Sequence, residues 1–443
     1  MDWPTLLDRK RLCDPNYVEK PDRPTFVQDA DRITFSAPFR RLANKTQVHP
    51  LYENDHLHHR LIHSVETASV GRSLGVAVGD WLEKDHNLGA GEKHVVAGMT
   101  QAACLAHDIG NPPFGHSGEA AIGSWFSERF SGPSELFGSL ETTLRPEFEG
   151  FEGNAQGFRV ISRLEMYRNN GGMRLSNGVL GAFAKYPVSA RVRAKANQSY
   201  RGLKKFGLFE SDVHLFAEVA GAVGLPVEIV GDDHWWRRHP LVYLVEAADD
   251  ICYNILDLED AFASADFSQE MVLGHLQKLA GIPNVDLADR TVEEIIAYAR
   301  ARAIGTAVDA CVEAFKLNYQ SIMAGTFAGS LVEASSKSSE FGKIEKLAKQ
   351  RLFTSPRKTE LEVFGRNVVH QVLDGLIGIF DQLLAQKWDA TKLSGYHEQL
   401  CRAANLDLRD VKDAYTALHA LTDYVSGMTD RYAVKVSKLV AGV

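Results

Sequence analysis

Residues 102–123 read AACLAHDIGNPPFGHSGEAAIG and combine an apolar run with a proline-containing turn. An apolar helical run ends in His107 and Asp108, two side chains of types that bind metal ions. The Pro112-Pro113 pair then stops the helix, because proline lacks the amide hydrogen and clashes with the preceding turn. The sequence therefore predicts a His-Asp pair at the end of an apolar helix.

The same turn carries a second pair of ionisable side chains. Because proline ends the first helix, residues 111–115 are predicted to form a loop. His116 follows the loop, and Glu119 lies three residues later at the start of a new helix, where side chains at this spacing meet. An imidazole beside a carboxylate suits proton transfer. One short turn thus combines a metal-binding pair with an acid/base pair.

Apolar positions recur at helical spacing along most of the chain, and strand-like alternation is nearly absent. The fold class is therefore predicted to be all-α. The helices are expected at residues 60–82, 93–107, 151–168, 239–262, 292–325, 359–386 and from about 397 onwards. On the helix over 239–262, Asp249, Tyr253 and Asp257 are spaced four residues apart and share one face.

The chain is predicted to divide into three parts. Residues 1–35 contain several prolines and are expected to form an irregular N-terminal arm. Residues 36–265 are expected to form the core, and residues 266–443 a C-terminal helical region that packs on it. A length of 443 residues is sufficient for such a core.

The composition is that of a soluble globular protein, with 45% hydrophobic and 24% charged residues. The net charge of −8 argues against a surface that coats nucleic acid, although a local basic pocket can bind phosphate. The first residues lack an apolar signal-like segment, and no window offers about 18 consecutive apolar residues. We therefore expect a cytoplasmic protein that does not interact with a membrane. The five cysteines show no CxxC spacing, which argues against a disulfide framework or a structural zinc site.

Four side chains on three predicted helices form the main functional hypothesis: His63, His107, Asp108 and Asp249. Two imidazoles and two carboxylates suit Mn²⁺, Fe²⁺, Ni²⁺, Mg²⁺ or catalytic Zn²⁺. On an octahedral ion they leave two positions for water and a phosphate oxygen, as hydrolysis of a phosphate ester requires. Structural roles are the alternative, since His63 could contact the backbone and Asp249 could be a surface acid beside Asp250.

Seven segments of the chain match a known pattern in the same order: DADRITFSAPFRRLANKTQV (29–48), HRLIHSVETASVGR (59–72), AHDIGNPPFGHSGEAAI (106–122), FEGNAQGFRVISRLE (151–165), AKYPVS (184–189), KKFGLFESD (204–212) and EAADDICYNILDLEDA (246–261). In these segments the chain resembles the HD-domain metal-dependent phosphohydrolases, and within them the deoxyguanosine triphosphate triphosphohydrolase (dGTPase) group. NPPFGH and FEGNAQ are far more specific than the His-Asp dipeptide. The C-terminal third resembles the family only in being helical.

The resemblance implies an activity and a catalytic pair. It implies that residues 36–265 are the HD domain and that the four residues above hold a divalent metal ion. Mn²⁺ or Mg²⁺ is expected first, and Ni²⁺, Fe²⁺ or Zn²⁺ is compatible. The implied reaction hydrolyses a dNTP, dGTP or a broader range, at the α-phosphorus to a deoxynucleoside and inorganic triphosphate, which controls dNTP pools. His116 and Glu119 are the implied catalytic pair, and His116 could be the acid, the base or the nucleophile.

Further positions are implied as substrate contacts. Tyr253 and Asp257 would meet the sugar, and Gln47 would contact the sugar or the base. Arg60 lies one turn before the first candidate metal ligand and would contact phosphate. The N–H groups of its guanidinium match the geometry of phosphate oxygens. The positions expected to line the triphosphate pocket are Asn154, Lys185, Tyr186 and Lys205, with Lys204 as the alternative to Lys205. Each of them could instead have a surface or capping role.

The resemblance also bears on partners. It implies a homo-oligomer, a tetramer or a hexamer, and leaves open an allosteric nucleotide. Binding of single-stranded DNA also stays open, with the basic stretches 190–205 and 343–358 as candidate surfaces. For the first stretch, a solvated surface and a phosphate-facing role have equal support.

Two other hypotheses compete with this function. The first is an HD-fold nucleotide phosphatase or phosphodiesterase, against which the NPPFGH turn with His116 and Glu119 argues. The second is a non-catalytic nucleotide-sensing or single-stranded-DNA-binding protein. The presence of all four candidate ligands argues against the second.

Overall fold

The computed structural model describes residues 1–46, 59–86, 88–263, 267–283, 290–352 and 356–443. The fold is all-α, as predicted. The α-helices in chain order are α1 (Trp3–Leu6), α2 (Thr25–Phe35), α3 (Ala37–Arg41), α4 (Arg60–Asp85), α5 (Lys93–Ala106), α6 (His116–Phe130), α7 (Glu135–Gly138), α8 (Pro146–Glu149), α9 (Gly153–Arg159), α10 (Asn177–Phe183), α11 (Ala190–Arg193), α12 (Val213–Ala222), α13 (Pro240–Ala263), α14 (Gln269–Ala280), α15 (Val292–Leu317), α16 (Tyr319–Met323), α17 (Leu331–Ala334), α18 (Ser338–Leu347), α19 (Pro356–Ala385), α20 (Gly395–Ala404), α21 (Ala414–Ser426) and α22 (Asp430–Ala441). Strands β1 (Val227–Val230) and β2 (Asp233–Trp236) form one antiparallel hairpin, in which Val227 lies opposite Trp236.

The three helices that carry the candidate metal ligands confirm the prediction made from apolar spacing. Helices α4, α5 and α13 begin and end within three residues of the predicted bounds. Helix α5 ends one residue before His107. The chain then turns at Gly110, whose φ of +108° disfavours other residues. A Cβ at Gly110 would lie 2.1 Å from the amide nitrogen of Gly157, so the turn packs directly against the backbone of α9.

The prediction that residues 1–35 are irregular is wrong for Thr25–Phe35, which is the 11-residue helix α2. The prolines precede this helix and do not interrupt it. Helix α2 packs on α5 because Gly98 leaves room for the ring of Phe26, whose Cδ2 would lie 2.0 Å from a Cβ there. Arg11 Nη1 donates to Asp29 Oδ1 at 2.6 Å, and this buried pair joins the N-terminal segment to α2. The three-part domain division stays a prediction.

The buried apolar side chains of the described residues form two clusters. The first joins the N-terminal segment with α4, α5, α10, α12, α13, α14 and α15. The second joins α6, α7, α19, α20, α21 and α22. The turn between α5 and α6 leads the chain from the first cluster to the second, so the candidate site lies where the two clusters meet.

One described helical segment, Thr359–Ala385 within α19, could cross a membrane by its length and composition alone. Of its most apolar window, 44% is buried inside the protein. The core helix of a soluble protein has the same properties, and α19 packs against α6, α21 and α22. The segment is therefore weak evidence for a membrane span.

Candidate active site

Close packing of three helices brings the candidate metal ligands together. Helices α4 and α5 approach through glycine: a Cβ at Gly75 would lie 2.6 Å from the Cα of Ala97. This approach places His63, in the first turn of α4, beside His107 at the end of α5, with 5.2 Å between the ring centroids. Helix α13 packs on both helices and supplies Asp249.

One potential ligand atom from each of His63, His107 and Asp249 lies within 4.8 Å of the others. Asp249 Oδ1 is 3.1 Å from His63 Nε2 and 3.5 Å from His107 Nε2. His107 Nδ1 lies 2.7 Å from the carbonyl oxygen of Cys104, to which its proton can be donated. That bond selects the tautomer in which Nε2 presents a lone pair to the cluster, as metal-binding imidazoles require.

Asp108 lies beside this group of three residues. Its Oδ1 accepts hydrogen bonds from Arg60 Nη1 at 2.7 Å and from Asn111 Nδ2 at 2.6 Å. His107 Nε2 lies 3.7 Å from the same oxygen. Asp108 Oδ2 and His107 Nε2 are both buried without a hydrogen-bond partner in the described part of the chain. Two buried polar atoms that lack a hydrogen-bond partner thus fit the binding of a cation.

The charges of the site also fit a cation. Burial lowers the pKa of His107, but the carboxylates of Asp108 and Asp249 outweigh burial and raise it to about 9. Burial raises the pKa of Asp249, yet the neighbouring His107 and His63 bring it well below its usual value. A site that stabilises positive charge this strongly, with nitrogen and oxygen donors, suits a divalent metal ion.

The second predicted pair lies at the start of α6. His116 Nδ1 is 2.6 Å from Glu119 Oε2, and Glu119 Oε1 accepts the amide hydrogen of Gly153 at 2.7 Å. The side chain of His116 is 84% exposed, whereas that of Glu119 is 9% exposed. Burial raises the pKa of Glu119, but His116 and then Lys205 outweigh burial and lower it. The ionised carboxylate thus holds the proton on Nδ1 and leaves Nε2 of the exposed ring for proton transfer.

A glycine lets the two pairs come close. Gly115, immediately before His116, has a φ of +59°. A Cβ at this position would lie 2.7 Å from Arg60 Nη2. The guanidinium of Arg60 therefore lies between Asp108 and the turn.

The His107-Asp108 pair and His116 of the second pair line one cavity of about 340 Å³. The candidate metal ligands His107, Asp108 and Asp249 contribute to its wall, as does His116. Six of the predicted substrate contacts also line it: Arg60, Asn154, Lys185, Tyr186, Lys205 and Tyr253.

Of the other two predicted substrate contacts, the structure describes only Asp257. Asp257, one turn beyond Tyr253 on α13, lines a separate small recess with Ile344 and Glu345. It is 4% exposed, and Tyr253 lines both this recess and the main cavity. Gln47 lies outside the described residues.

The lysines of the cavity already face carboxylates. Lys185 Nζ is 3.5 Å from Glu246 Oε1 and 3.9 Å from Asp249 Oδ2. Lys205 Nζ is 2.8 Å from Glu152 Oε2. Burial lowers the pKa of each lysine, but the neighbouring carboxylates outweigh burial and raise it. Both lysines are therefore charged and can attract an anion at the cavity wall.

The basic stretch 190–205 mostly faces acidic side chains of the same chain. Arg191 lies 2.9 Å from Asp233, and Lys195 lies 2.8 Å from the same carboxylate. Arg201 donates to Glu246 at 3.0 Å. Of this stretch, Lys205 is the residue that lines the cavity.

Sequence reasoning missed the part of the site that comes from the C-terminal third. Glu362 of α19 lines the cavity, and Asp430 of α22 contacts the turn between α5 and α6. Phe114 and Asp430 are 316 positions apart, so no local spacing could reveal the contact.

A second cavity, of about 580 Å³, lies beside the N-terminal segment. It is larger than the first, but it is lined by none of the candidate ligands. Arg9 in its wall pairs with Glu19 and Glu92. The chemistry therefore points to the smaller cavity.

Comparisons with known proteins agree with this location. Residues 60–170 match the HD domain family. The chain is 38% identical to the deoxyguanosinetriphosphate triphosphohydrolase-like protein of Synechocystis sp., with 100% of both chains covered. A protein of the same name from Pseudomonas aeruginosa is 38% identical, over 100% of this chain and 99% of its own. The deoxyguanosinetriphosphate triphosphohydrolase of Yersinia pestis is 30% identical, over 92% of each chain.

Proposed function

The chain belongs to the HD-domain family of deoxyguanosinetriphosphate triphosphohydrolase-like proteins, and from that membership we propose that it hydrolyses deoxynucleoside triphosphates. The coarse activity, a hydrolase on a metal-dependent phosphohydrolase fold, follows from the family. The proposal concerns the bond and the substrate: water attacks the α-phosphorus of a dNTP, and the products are a deoxynucleoside and inorganic triphosphate.

The observation that carries the proposal is the shared cavity of about 340 Å³. Its wall combines the His/Asp cluster, the exposed ring of His116 and the cations Arg60, Lys185 and Lys205. A phosphoryl-transfer site needs these three elements: a place for a metal ion, a group that moves a proton, and positive charge for the phosphates.

The candidate ligands are His63, His107, Asp108 and Asp249. A divalent cation held by them would supply Lewis-acid chemistry, by lowering the pKa of water and polarising a phosphate ester. The protein's own contribution is to orient the donors. A hydrogen bond to the carbonyl oxygen of Cys104 orients the ring of His107. Hydrogen bonds from Arg60 and Asn111 to one oxygen orient the carboxylate of Asp108.

His116 is the proposed proton-transfer group. Glu119 accepts the Nδ1 hydrogen, so the ring presents Nε2 to the cavity and can take up or release a proton there. The Gly153 amide holds the other oxygen of Glu119, which prevents the carboxylate from rotating away. Because the ring is exposed, its access to substrate does not require an opening movement.

The cations of the wall would bind the phosphates. A triphosphate would interact with the charged amino groups of Lys185 and Lys205. These groups would also stay near the carboxylates of Glu246 and Glu152. The guanidinium N–H groups of Arg60 can donate to a phosphate oxygen in the same way as they donate to the Asp108 carboxylate. On the sugar side, Tyr253 is the proposed contact, and burial raises the pKa of its phenol, which therefore stays protonated.

Several finer points belong to the same proposal. The proposed metal ion is Mn²⁺ or Mg²⁺, and Ni²⁺, Fe²⁺ or Zn²⁺ are the alternatives. The substrate is dGTP or a broader range of dNTPs, so the protein controls dNTP pools in the cytoplasm. We also propose a homo-oligomer, with an activating nucleotide and single-stranded DNA as candidate regulators.

Phosphorus NMR of the products tests the proposal. The purified protein is incubated with Mn²⁺ or Mg²⁺ and with each of the four dNTPs, singly and in pairs. Inorganic tripolyphosphate is the expected product, and a requirement for a second nucleotide would identify an activator. Orthophosphate or pyrophosphate alone would instead indicate an HD-fold phosphatase or phosphodiesterase. Absence of turnover in every mixture would favour a nucleotide-sensing protein.

A further inference from the structure

The C-terminal helix α22 contacts the turn that carries His116. Asp430, the first residue of α22, is 2% exposed. Its Oδ1 accepts the amide hydrogen of Phe114 at 3.0 Å. Its Oδ2 accepts both the amide hydrogen and the hydroxyl hydrogen of Thr46, at 3.1 and 2.5 Å. One buried carboxylate thus joins α22 to two segments beside the cavity.

Phe114 has a backbone conformation that needs external support. Its φ is +63°, a region that bulky residues avoid. Such a conformation persists only where the surroundings hold it in place. Asp430 holds the amide, and α19 holds the ring: a Cβ at Gly365 would lie 2.8 Å from Phe114 Cγ, and the rings of Phe114 and Phe364 are 6.3 Å apart.

A second contact fixes the other end of the same loop. The buried Lys45 donates from Nζ to the carbonyl oxygens of Asn111 and Ser426, at 2.5 and 2.6 Å. The side chain of Asn111 in turn donates to Asp108. The loop 111–115 is therefore held at one end by Lys45, which also contacts Ser426 of α21, and near the other end by Asp430 of α22.

We propose that Asp430 is a positioning residue of the active site, which holds Phe114 and thereby sets the direction of His116 two residues later. This inference rests on the proposed function of His116 and adds the C-terminal third to the active site. Rotation of the Phe114 backbone would swing the start of α6, where His116 lies. The metal ligands on α4 and α13 would not move with it.

The test compares Asp430→Asn with Thr429→Ala. Asparagine keeps the size of the side chain but turns one acceptor into a donor that faces N–H or O–H groups. Thr429→Ala removes the N-cap of the same helix, a bond from the Tyr432 amide at 3.2 Å, and leaves the contact to the turn intact. Both changes destabilise the start of α22, so the pair separates a structural role from a positioning role.

We expect Asp430→Asn to lower kcat by about 10²-fold, the size of effect that misplacement of a catalytic group produces. The KM for dNTP and the bound metal should stay as in the wild type. Thr429→Ala should keep kcat within about twofold. Equal losses of kcat in both variants, or a wild-type kcat in Asp430→Asn, would overturn the proposal.

A readout independent of turnover separates this proposal from the proposed function. In hydrogen–deuterium exchange, the peptide covering residues 111–118 should exchange faster in Asp430→Asn than in the wild type and in Thr429→Ala. This comparison holds even if the wild type hydrolyses no dNTP. Unchanged exchange would overturn the positioning role on its own.

If Asp430→Asn does not fold, Gly365→Ala tests the same placement of Phe114 from α19. Alanine favours the helix over glycine, while its Cβ would press on the Phe114 ring. A lower kcat with an unchanged or higher melting temperature would support the proposal. A wild-type kcat in this variant would contradict it.

Discussion

The metal-ligand cluster and the turn that carries His116 line one cavity, but different forces hold them. His63, His107 and Asp249 project from long helices that pack within one hydrophobic cluster. His116 follows a loop of two prolines and two positive-φ residues and is 84% exposed. The loop is held by hydrogen bonds to Asp430 of the C-terminal third and from Lys45, which also donates to Ser426.

This difference has consequences for function and for mutation. Helix packing holds the ligand cluster in a fixed geometry, as tight metal coordination needs. The exposed ring of His116 can meet substrate and exchange protons with water. Loss of a ligand should therefore abolish binding of the metal ion. Changes at the turn should alter the rate of chemistry and leave the metal ion bound.

The largest expected effect comes from His107→Ala, which removes a donor from the ligand cluster. We expect loss of both the metal ion and detectable turnover, because the remaining donors cannot complete the coordination. Metal analysis of the purified protein and a dNTP assay measure the two quantities. His94→Ala is the control, since His94 lies exposed on the same helix. Turnover in the His107 variant comparable to that of the control would contradict the metal assignment.

Glu119→Gln should lower kcat by about 10²-fold, at the lower end of what an acid–base group contributes. A glutamine oxygen that accepts from Gly153 leaves an amide N–H facing His116 Nδ1, which favours the wrong tautomer. Metal content should not change. Glu128→Gln, an exposed position on the same helix, is the matched control. A parallel loss of metal would show that the two regions are not separate.

Tyr253→Ala should reduce the preference for dNTP over NTP by roughly 10-fold to 10²-fold, the range over which a pocket rejects one extra hydroxyl. Tyr253 lies on the same helix as Asp249 but lines the cavity beyond the ligands. The ratio of kcat/KM for dGTP and GTP measures the effect. Tyr253→Phe, which keeps the ring, separates its contribution from that of the hydroxyl. An unchanged ratio in Tyr253→Ala would remove the sugar-contact role.

The smallest expected effect is on stability against pH. The pKa of Glu119 is lower in the folded protein than its ordinary value of 4.5. The carboxylate therefore stabilises the fold above about pH 4.5, and this contribution is lost as the pH falls through the lowered pKa. Urea unfolding of the wild type and of Glu119→Gln should give free energies that differ most at pH 7 and converge below pH 4.5. A constant difference from pH 7 to pH 3.5 would contradict the lowered pKa of Glu119.

The same contrast explains what could be predicted from sequence. Helices α4, α5 and α13 follow from apolar spacing and proline positions, and these helices bring His63, His107 and Asp249 together. Helix α2 was missed because the prolines before it suggested an irregular segment. Asp257 shares a helical face with Tyr253 but lines the neighbouring recess, and its contact with the sugar stays a prediction.

The contacts that hold the turn could not be predicted, for a physical reason. Lys45 with Ser426 and Phe114 with Asp430 are more than 300 positions apart. Helical periodicity reports the neighbours of a residue on its own helix, whereas these contacts depend on how distant helices pack. The basic stretch 190–205 was ambiguous for the same reason, because its acidic partner Asp233 lies in the distant hairpin.

Metal content and turnover of His116→Ala test the division between the two regions most directly. Inductively coupled plasma mass spectrometry gives the bound metal, and a single-turnover assay with dGTP gives the rate of chemistry. We predict wild-type metal content with a rate reduced about 10²-fold to 10⁴-fold, as expected for loss of an acid–base group. A fall in metal content that matches the fall in rate would contradict the account and make His116 a ligand.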